Sequence, residues 1–116
     1  MKPGRSNRPW LVDILEAIAR VHKALGATPL EEFQGDWRQQ WLVQRGIEII
    51  SEASRRLSED LKARHPEIPW KKVAAIGNIL RHEYEDVAAP VIWKVARTDL
   101  PDLERVCREE LLALEK

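Results

Sequence analysis

Apolar residues recur at three- and four-residue steps along much of this chain, and that spacing restricts what it can fold into. A helix with this spacing buries one stripe of its surface against neighbouring helices. The first stripe comprises Leu11, Ile14, Leu15, Ile18, Val21 and Leu25. No segment shows the alternation of a half-buried strand, and no internal repeat is present. The sequence therefore predicts an all-α fold, a bundle of four main helices with short connections.

Glycine, proline and capping residues indicate where the first helices begin and end. Residues 1–7 are polar and turn-rich and are expected to be a mobile N-terminal segment. Residues 8–116 are then expected to form a single helical domain. Gly26 stands where the cap of the first helix belongs. Thr28, followed by a proline and a glutamate, predicts a short helix over residues 29–33.

The second long helix is apolar on more than one side. It is expected to begin after Asp36 as cap and to run to about Arg64. Its expected buried side consists of Trp37, Trp41, Ile47, Ile50, Ala53, Leu57 and Leu61. Because Val43 and Ile49 lie off that stripe, the apolar surface exceeds what one bundle core needs, and a symmetric homodimer is expected to cover the excess. Gly46 in mid-helix indicates a close helix–helix crossing.

Two prolines organise the second half of the chain. Pro69 suits the first turn of a third helix. Residues 85–89 are interpreted as a connection, and Pro90 as the start of a fourth helix. Residues 98–101 are either a break or a kink, after which the helical pattern continues.

Composition excludes several functional classes. Apolar residues make up 44% and charged residues 33% of the chain, as in a folded domain rather than a disordered one. The formal net charge is zero, which argues against a protein that coats nucleic acid but leaves room for a local basic patch. The single Cys107 excludes an internal disulfide and a cysteine zinc site, and fits a reducing cytosol. No apolar run suits a membrane span and no signal peptide opens the chain, so a cytoplasmic protein is expected.

The end of the third helix collects groups able to do chemistry, namely Asn78, Arg81, His82 and Tyr84. At 100° per residue, Asn78 and His82 lie opposite the apolar face and close enough for the amide to orient the imidazole. A solvated polar face explains the same residues taken alone. No metal-ligand spacing, glycine-rich phosphate loop or serine or cysteine nucleophile motif is present, so no metal or other cofactor is expected.

The run Asn-Ile-Leu-Arg-His-Glu-Tyr over residues 78–84, preceded by Pro69 and Trp70, resembles the signature of the HepT-like proteins. These are HEPN-superfamily toxins of HepT/MntA toxin–antitoxin pairs. Other similar segments follow in the family's order over residues 11–18, 45–53, 91–95 and 99–103. The resemblance thus covers nearly the whole chain.

The resemblance implies a HEPN-like bundle that dimerises and acts as a metal-independent endoribonuclease, the toxin of a type VII-like toxin–antitoxin pair. Two copies of an Arg-x4-His motif meet at a shared cleft in this family. His82 matches the motif's histidine, a residue type suited to general acid or base catalysis on RNA. Asn78 and Arg81 are the further catalytic candidates. The implied partner is a MntA-like nucleotidyltransferase antitoxin, which attaches AMP to the tyrosine of His-x-Tyr, here Tyr84.

One position departs from the family pattern. Counting back from His82, the family's arginine should occupy position 77, where this chain has Gly77. Arg81 lies one turn later on nearly the same stripe, so its guanidinium could return to the place of the missing arginine. The alternative is a non-catalytic, dimeric HEPN-type module that binds an antitoxin, a nucleotide or RNA.

Basic and aromatic residues leave further alternatives open. Lys71 and Lys72 are candidate RNA contacts, and a solvated helix surface explains them equally well. The five tryptophans are expected in the core or in a dimer contact rather than as platforms for stacked bases. A purely structural helical adaptor also fits the neutral charge and the tryptophans.

Overall fold

The structure is a computed structural model that describes residues 6–82 and 85–115, with the side chains of residues 81, 82 and 85–88 outside the description. Within these ranges all regular structure is helical, which confirms the predicted all-α bundle. The helices are α1 (Arg8–Leu25), α2 (Leu30–Gln34), α3 (Trp37–Arg56), α4 (Glu59–Arg64), α5 (Trp70–His82), α6 (Glu85–Lys94) and α7 (Leu100–Leu114). None of the helices in the described part is long and apolar enough to cross a membrane.

The core forms where α1 packs between α3 and α7, with α5 on the other side of α3. The predicted stripe of α1 is buried, apart from the partly exposed Leu15. Gly46 permits the α1–α3 crossing, because a Cβ there would overlap Val21 Cγ2. The close crossing predicted from Gly46 is therefore confirmed. Gly26, at φ 54°, ends α1 as predicted.

Capping side chains position α2 and α3. The predicted cap of α3 is confirmed, since Asp36 Oδ1 accepts a hydrogen bond from the Gln39 amide at 3.1 Å. The short helix α2 begins one residue later than predicted, with Pro29 rather than Thr28 at its N-cap. The Gln39 side chain donates to the carbonyls of Ala24 and Leu25, at 2.9 and 3.2 Å. It thereby provides a hydrogen-bond donor for two C-terminal carbonyls of α1.

The prediction of one helix from Asp36 to Arg64 is wrong, because α3 ends at Arg56 and α4 begins at Glu59. Ser58 caps α4, its hydroxyl accepting from the Leu61 amide at 3.2 Å. Asn7 Oδ1 accepts from the Ser58 amide at 2.9 Å, and Asn7 Nδ2 donates to Ser58 Oγ at 3.2 Å. Asn7 therefore stabilises the break between α3 and α4, which the local apolar periodicity does not indicate. Asn7, the last residue of the predicted N-terminal segment, is thus held in place by Ser58. Residues 1–5 of that segment lie outside the described residues.

The predicted burial of Trp37 and Trp41 is also wrong. Their relative exposures are 56% and 61%, and their rings meet edge to face with centroids 5.0 Å apart. The buried stripe of α3 instead passes through Val43, Ile47 and Ile50. At 100° per residue the two tryptophans lie well outside that stripe, and no helix in the described part of the chain covers them.

The predicted connection at residues 85–89 is helical instead, and Pro90 lies inside α6 rather than at a helix start. A π-helical turn, Val95–Asp99, joins α6 to α7, so the predicted break or kink at residues 98–101 is a widened turn. Arg97 Nη2 and Trp93 Nε1 both donate to the Thr28 carbonyl, at 2.9 and 3.0 Å. These bonds fix the turn against the loop that follows α1.

Charged side chains fasten the corner between α4 and α5 to α7. Glu110 on α7 accepts two hydrogen bonds from Arg64, at 2.7 and 3.1 Å, and lies 2.6 Å from His65 Nε2. The bonds from Arg64 hold the pKa of the Glu110 carboxyl below its usual value, against the opposing effect of burial. Arg105, also on α7, pairs with Glu67 at 3.5 Å. The start of α5 is thereby fixed relative to α7.

Candidate active site

Helix α5 carries most of the predicted site, and its first turn is anchored firmly. Pro69 precedes the helix, and its carbonyl accepts from the Val73 amide at 3.0 Å, so the predicted start at Pro69 is confirmed to within one residue. The indole Nε1 of Trp70 donates to the carbonyls of Lys62 and His65, at 3.1 and 2.9 Å. These bonds satisfy the C-terminal carbonyls of α4 and set the angle at which α5 leaves the corner.

Helix α5 packs closely on α3 through Gly77. The Gly77 amide donates to Ser51 Oγ at 3.2 Å, and that hydroxyl donates to the Ala74 carbonyl at 2.8 Å. A Cβ built on Gly77 would lie 2.9 Å from Ser51 Oγ and 3.1 Å from Ser51 Cβ. Any larger residue at this position must therefore displace Ser51 or part the two helices.

The two helices run antiparallel, as the order of their contacts shows. Ala74 lies against Ser51 and Arg55, whereas Gly77, three residues further along α5, lies against Ser51 and Glu48. The last turn of α5 therefore lies alongside the N-terminal half of α3. The exposed tryptophans of α3 belong to that same half.

An open cavity of about 230 Å³ lies on the outer side of α3, between α1 and α5. In the described part of the chain its walls are formed by Trp10, Asp13, Arg45, Glu48, Ile49, Glu52, Ala53, Arg55 and Gly77. This volume is smaller than the several hundred Å³, roughly 300–1,000, of a typical small-molecule site. The cavity has room for one phosphate or base of a longer ligand.

Both arginine and carboxylate side chains line the cavity. Arg55 Nη2 lies 2.6 Å from Glu52 Oε1, and Arg56 Nη2 lies 3.3 Å from Glu52 Oε2. The hydrogen bond from Arg55, followed by its charge and by the bond from Arg56, lowers the pKa of the Glu52 carboxyl. Arg56 also lies over the Trp10 ring, 5.3 Å from its centroid. Glu52 is thus ionised and matched by two cations.

The structure places some of the predicted site residues and leaves others outside the description. Lys71, Lys72 and Asn78 lie on exposed positions of α5, as predicted. Arg81 and His82 are helical and form the last turn of α5, with their side chains outside the described set. Tyr84, the predicted modification site, lies outside the described residues. The backbone thus brings Gly77, Asn78, Arg81 and His82 onto the final two turns of one helix.

Sequence reasoning did not identify Ser51 or Arg45 as part of this region, because both belong to α3 and reach it only through the packing of α5. The sequence did contain one indication of this packing, the mid-helix glycine Gly77. Gly46 was interpreted as a helix crossing, and the same argument applied to Gly77 predicts the close approach that Ser51 makes.

Comparison with known proteins identifies relatives over most of the chain. The family described as ribonuclease HepT-like matches residues 14–110. A protein named probable ribonuclease HepT from Thermococcus cleftensis is 39% identical over 86% of this chain and 91% of its own length. A candidate RNase from Methanocaldococcus jannaschii is 32% identical over 87% of this chain and 93% of its own length.

A candidate RNase from Caldanaerobacter subterraneus subsp. tengcongensis is 30% identical over 92% of this chain and 96% of its own length. No solved structure matches the chain significantly. The resemblance inferred from the segment at residues 78–84 is confirmed by the family match and by these relatives. The chain belongs to the HepT-like ribonuclease family.

Proposed function

We propose that the protein is a metal-independent endoribonuclease and the toxin of a toxin–antitoxin pair, acting on RNA in the cytoplasm. The observation that carries the proposal is membership of the HepT-like ribonuclease family together with the polar last turns of α5 beside an open cavity. His82, Asn78 and Arg81 are the proposed catalytic groups. Exposed Lys71 and Lys72, further back on the same helix, are proposed to attract the RNA backbone.

Each proposed group matches one requirement of RNA cleavage. The His82 imidazole takes the proton from a ribose 2′-hydroxyl, whose oxygen then attacks the adjacent phosphorus. The bond from phosphorus to the 5′-oxygen breaks, and that oxygen receives a proton, which leaves a 2′,3′-cyclic phosphate and a 5′-hydroxyl. Arg81 offsets the negative charge that develops on the phosphate. Asn78 orients the imidazole from one turn away.

Cleavage of single-stranded RNA by the pure protein tests this chemistry. His82→Ala is expected to lower the cleavage rate by roughly 10²- to 10⁴-fold. Arg81→Ala should also slow cleavage, and excess EDTA should leave the parent's rate unchanged. Full activity of the His82 variant, or its loss on chelation, would contradict the proposed mechanism. Lys71→Ala with Lys72→Ala should weaken RNA binding and reduce its dependence on salt.

We also propose a homodimer formed through the exposed face of α3. Trp37, Trp41 and Leu42 are 56%, 61% and 63% exposed, an apolar surface that a second copy can cover. Tryptophans are frequent anchors of such contacts. Trp41→Gln should shift the protein to monomer in sedimentation at micromolar concentration. Leu112→Gln is the control, since Leu112 is equally exposed, at 62%, on α7.

A non-catalytic HEPN-type binding module is the second candidate function. The observation in its favour is the buried glycine at position 77, where the family motif has an arginine. Such a module would bind RNA, a nucleotide or an antitoxin and leave RNA intact. Parent protein that binds RNA tightly without cleaving it, at any salt concentration, would select this alternative.

We further propose that the partner antitoxin is a nucleotidyltransferase that transfers AMP to Tyr84. The phenol oxygen attacks the α-phosphorus of ATP and loses its proton, and pyrophosphate leaves. The added nucleotide places charge and bulk two residues from His82, where it competes with RNA. Mass spectrometry after incubation with antitoxin and ATP should find AMP on the parent and none on Tyr84→Phe. Modification of the Phe variant would refute Tyr84 as the acceptor.

A further inference from the structure

The cavity between α1, α3 and α5 contains a cation that the chemistry above leaves unused. Arg45 lines this cavity, its side chain is 73% exposed, and its Nη1 lies 3.6 Å from Glu48 Oε1. Arg55, the other arginine among the described lining residues, is held more tightly. Its two terminal nitrogens donate to the Ala74 carbonyl at 2.8 Å and to Glu52 at 2.6 Å. Arg45 is therefore the guanidinium that an incoming anion can recruit with less loss of existing contacts.

The register between α3 and α5 places Arg45 at the level of His82. Gly77 packs against both Ser51 and Glu48. His82 is five residues beyond Gly77, or about 7.5 Å along α5 at 1.5 Å per residue. Arg45 precedes Glu48 by about 4.5 Å and Ser51 by about 9 Å on the antiparallel α3. By this estimate the Cα atoms of Arg45 and His82 lie at about the same height in the bundle, on adjacent helices.

We propose that Arg45 binds the phosphate of the RNA at the cleavage site from α3, and that together with Arg81 it compensates for the guanidinium that position 77 lacks on α5. This inference depends on the proposed ribonuclease function. Gly77 contributes an open wall to the cavity in which the two helices meet, so no side chain at that position separates Arg45 from the last turns of α5. A guanidinium can hold two phosphate oxygens at once, which suits it to this role.

Arg45 can leave its present partner, Glu48, without leaving that carboxylate buried and unpaired. Glu48 accepts a hydrogen bond from Gln44 Nε2 at 3.2 Å, and its side chain remains 21% exposed. If Arg45 turns to a phosphate, Glu48 keeps that bond and contact with water. Among the described lining residues, the carboxylates facing the site are Glu48, Glu52 and Asp13, and Glu52 is already matched by two arginines. Asp13, on the opposite wall, should repel a phosphate and limit its affinity.

Binding of a single-stranded RNA with 2′-O-methyl riboses tests the assignment separately from cleavage, because such RNA lacks the attacking hydroxyl. Arg45→Ala is expected to weaken binding of this probe roughly tenfold or more and to reduce the salt slope by about one. Arg45→Lys keeps the charge but loses the two-pronged contact, so an intermediate loss is expected. Asp13→Asn should change affinity in the opposite direction, strengthening binding. Thermal melting of each variant verifies its fold.

Arg108→Ala is the matched control. Arg108 is 64% exposed and pairs with one glutamate of its own helix, Glu104, at 2.8 Å, but it lies on α7 and does not line the cavity. Equal losses in the Arg45 and Arg108 variants, or parent-like binding and cleavage by Arg45→Ala, would overturn the assignment. If the parent cleaves no unmodified RNA but only Arg45→Ala loses probe binding, the phosphate site stands and the ribonuclease proposal fails. If the parent does not bind the probe, both fail.

Discussion

Replacing Gly77 by alanine should destabilise this protein, although alanine is the better residue for a helix. In an open helix the change would stabilise by about 1 kcal/mol. Here the new Cβ would lie 2.9 Å from Ser51 Oγ and 3.1 Å from Ser51 Cβ. Overpacking of this kind costs about 1–3 kcal/mol. Displacing Ser51 also weakens its hydrogen bond to the Ala74 carbonyl, at a cost of about 1 kcal/mol. The expected net loss is about 1–3 kcal/mol.

The same substitution should become favourable when Ser51 is also changed to glycine. Both atoms within 3.4 Å of the new Cβ belong to Ser51, and the next is Glu48 Cα at 4.0 Å, an ordinary contact. The double variant therefore keeps the helix-propensity gain without the clash. A double-mutant cycle should give a coupling of about 2–4 kcal/mol between the two positions.

Urea denaturation of the four proteins in the cycle measures this coupling. Gly35→Ala is the control, because a Cβ at Gly35 would meet only the Glu32 carbonyl oxygen, at 3.7 Å. A coupling within about 0.5 kcal/mol of zero would refute the packing argument.

The clash with Ser51 also affects any attempt to restore the family's arginine at position 77. Gly77→Arg alone would be destabilised, so only the Ser51→Gly, Gly77→Arg pair tests whether that arginine raises activity.

Three further predictions concern other parts of the bundle. Glu110→Gln should lower the free energy of unfolding by about 2 kcal/mol at pH 7. Since the folded-state pKa of Glu110 is lowered, its stabilisation is complete above its ordinary value of 4.5 and is lost as pH falls through the folded value. In urea denaturation, the difference in free energy of unfolding between the parent and Glu110→Gln should therefore shrink in acid. Glu109 is an exposed neighbour, and Glu109→Gln should change stability by less than about 0.5 kcal/mol. Asn7→Ala should cost about 1 kcal/mol in the same assay, because the α3–α4 break loses two bonds. Cys107 is fully buried, and burial raises the pKa of its thiol to about 12, so a disulfide reagent should modify native protein roughly a thousandfold slower than unfolded protein.

Periodicity and capping residues predicted the parts of the fold that depend on local sequence. The stripe of α1, its end at Gly26, the Asp36 cap and the start of α5 all follow from neighbours within a few positions. The Trp37 and Trp41 assignment failed because a helix apolar on several sides does not indicate which side meets its own core. The helix break at Ser58 was not predicted, because the residue that stabilises it is Asn7, 51 residues away.

The candidate site divides in the same way. Asn78 and the two lysines of α5 lie on the exposed face that their helical positions predicted. The environment of Gly77 could not be predicted from its own helix, because Ser51 and Glu48 approach it from α3. Arg45 reaches the cavity for the same reason. Residues contributed by a neighbouring helix become identifiable only after the register between the helices is known.

The π-helical turn at Val95–Asp99 has a consequence for how the length of this chain can change. The Leu100 amide bonds the Val95 carbonyl five residues back, so the turn holds one residue more than an α-helical turn. Deleting one residue there would convert the turn to α-helix while the face with Leu103 and Val106 stayed buried. A deletion inside α7 would rotate every later residue by about 100° and expose that face. Single-residue deletions should therefore be tolerated within the turn at residues 95–99 and should destabilise the protein within the buried part of α7, residues 100–107.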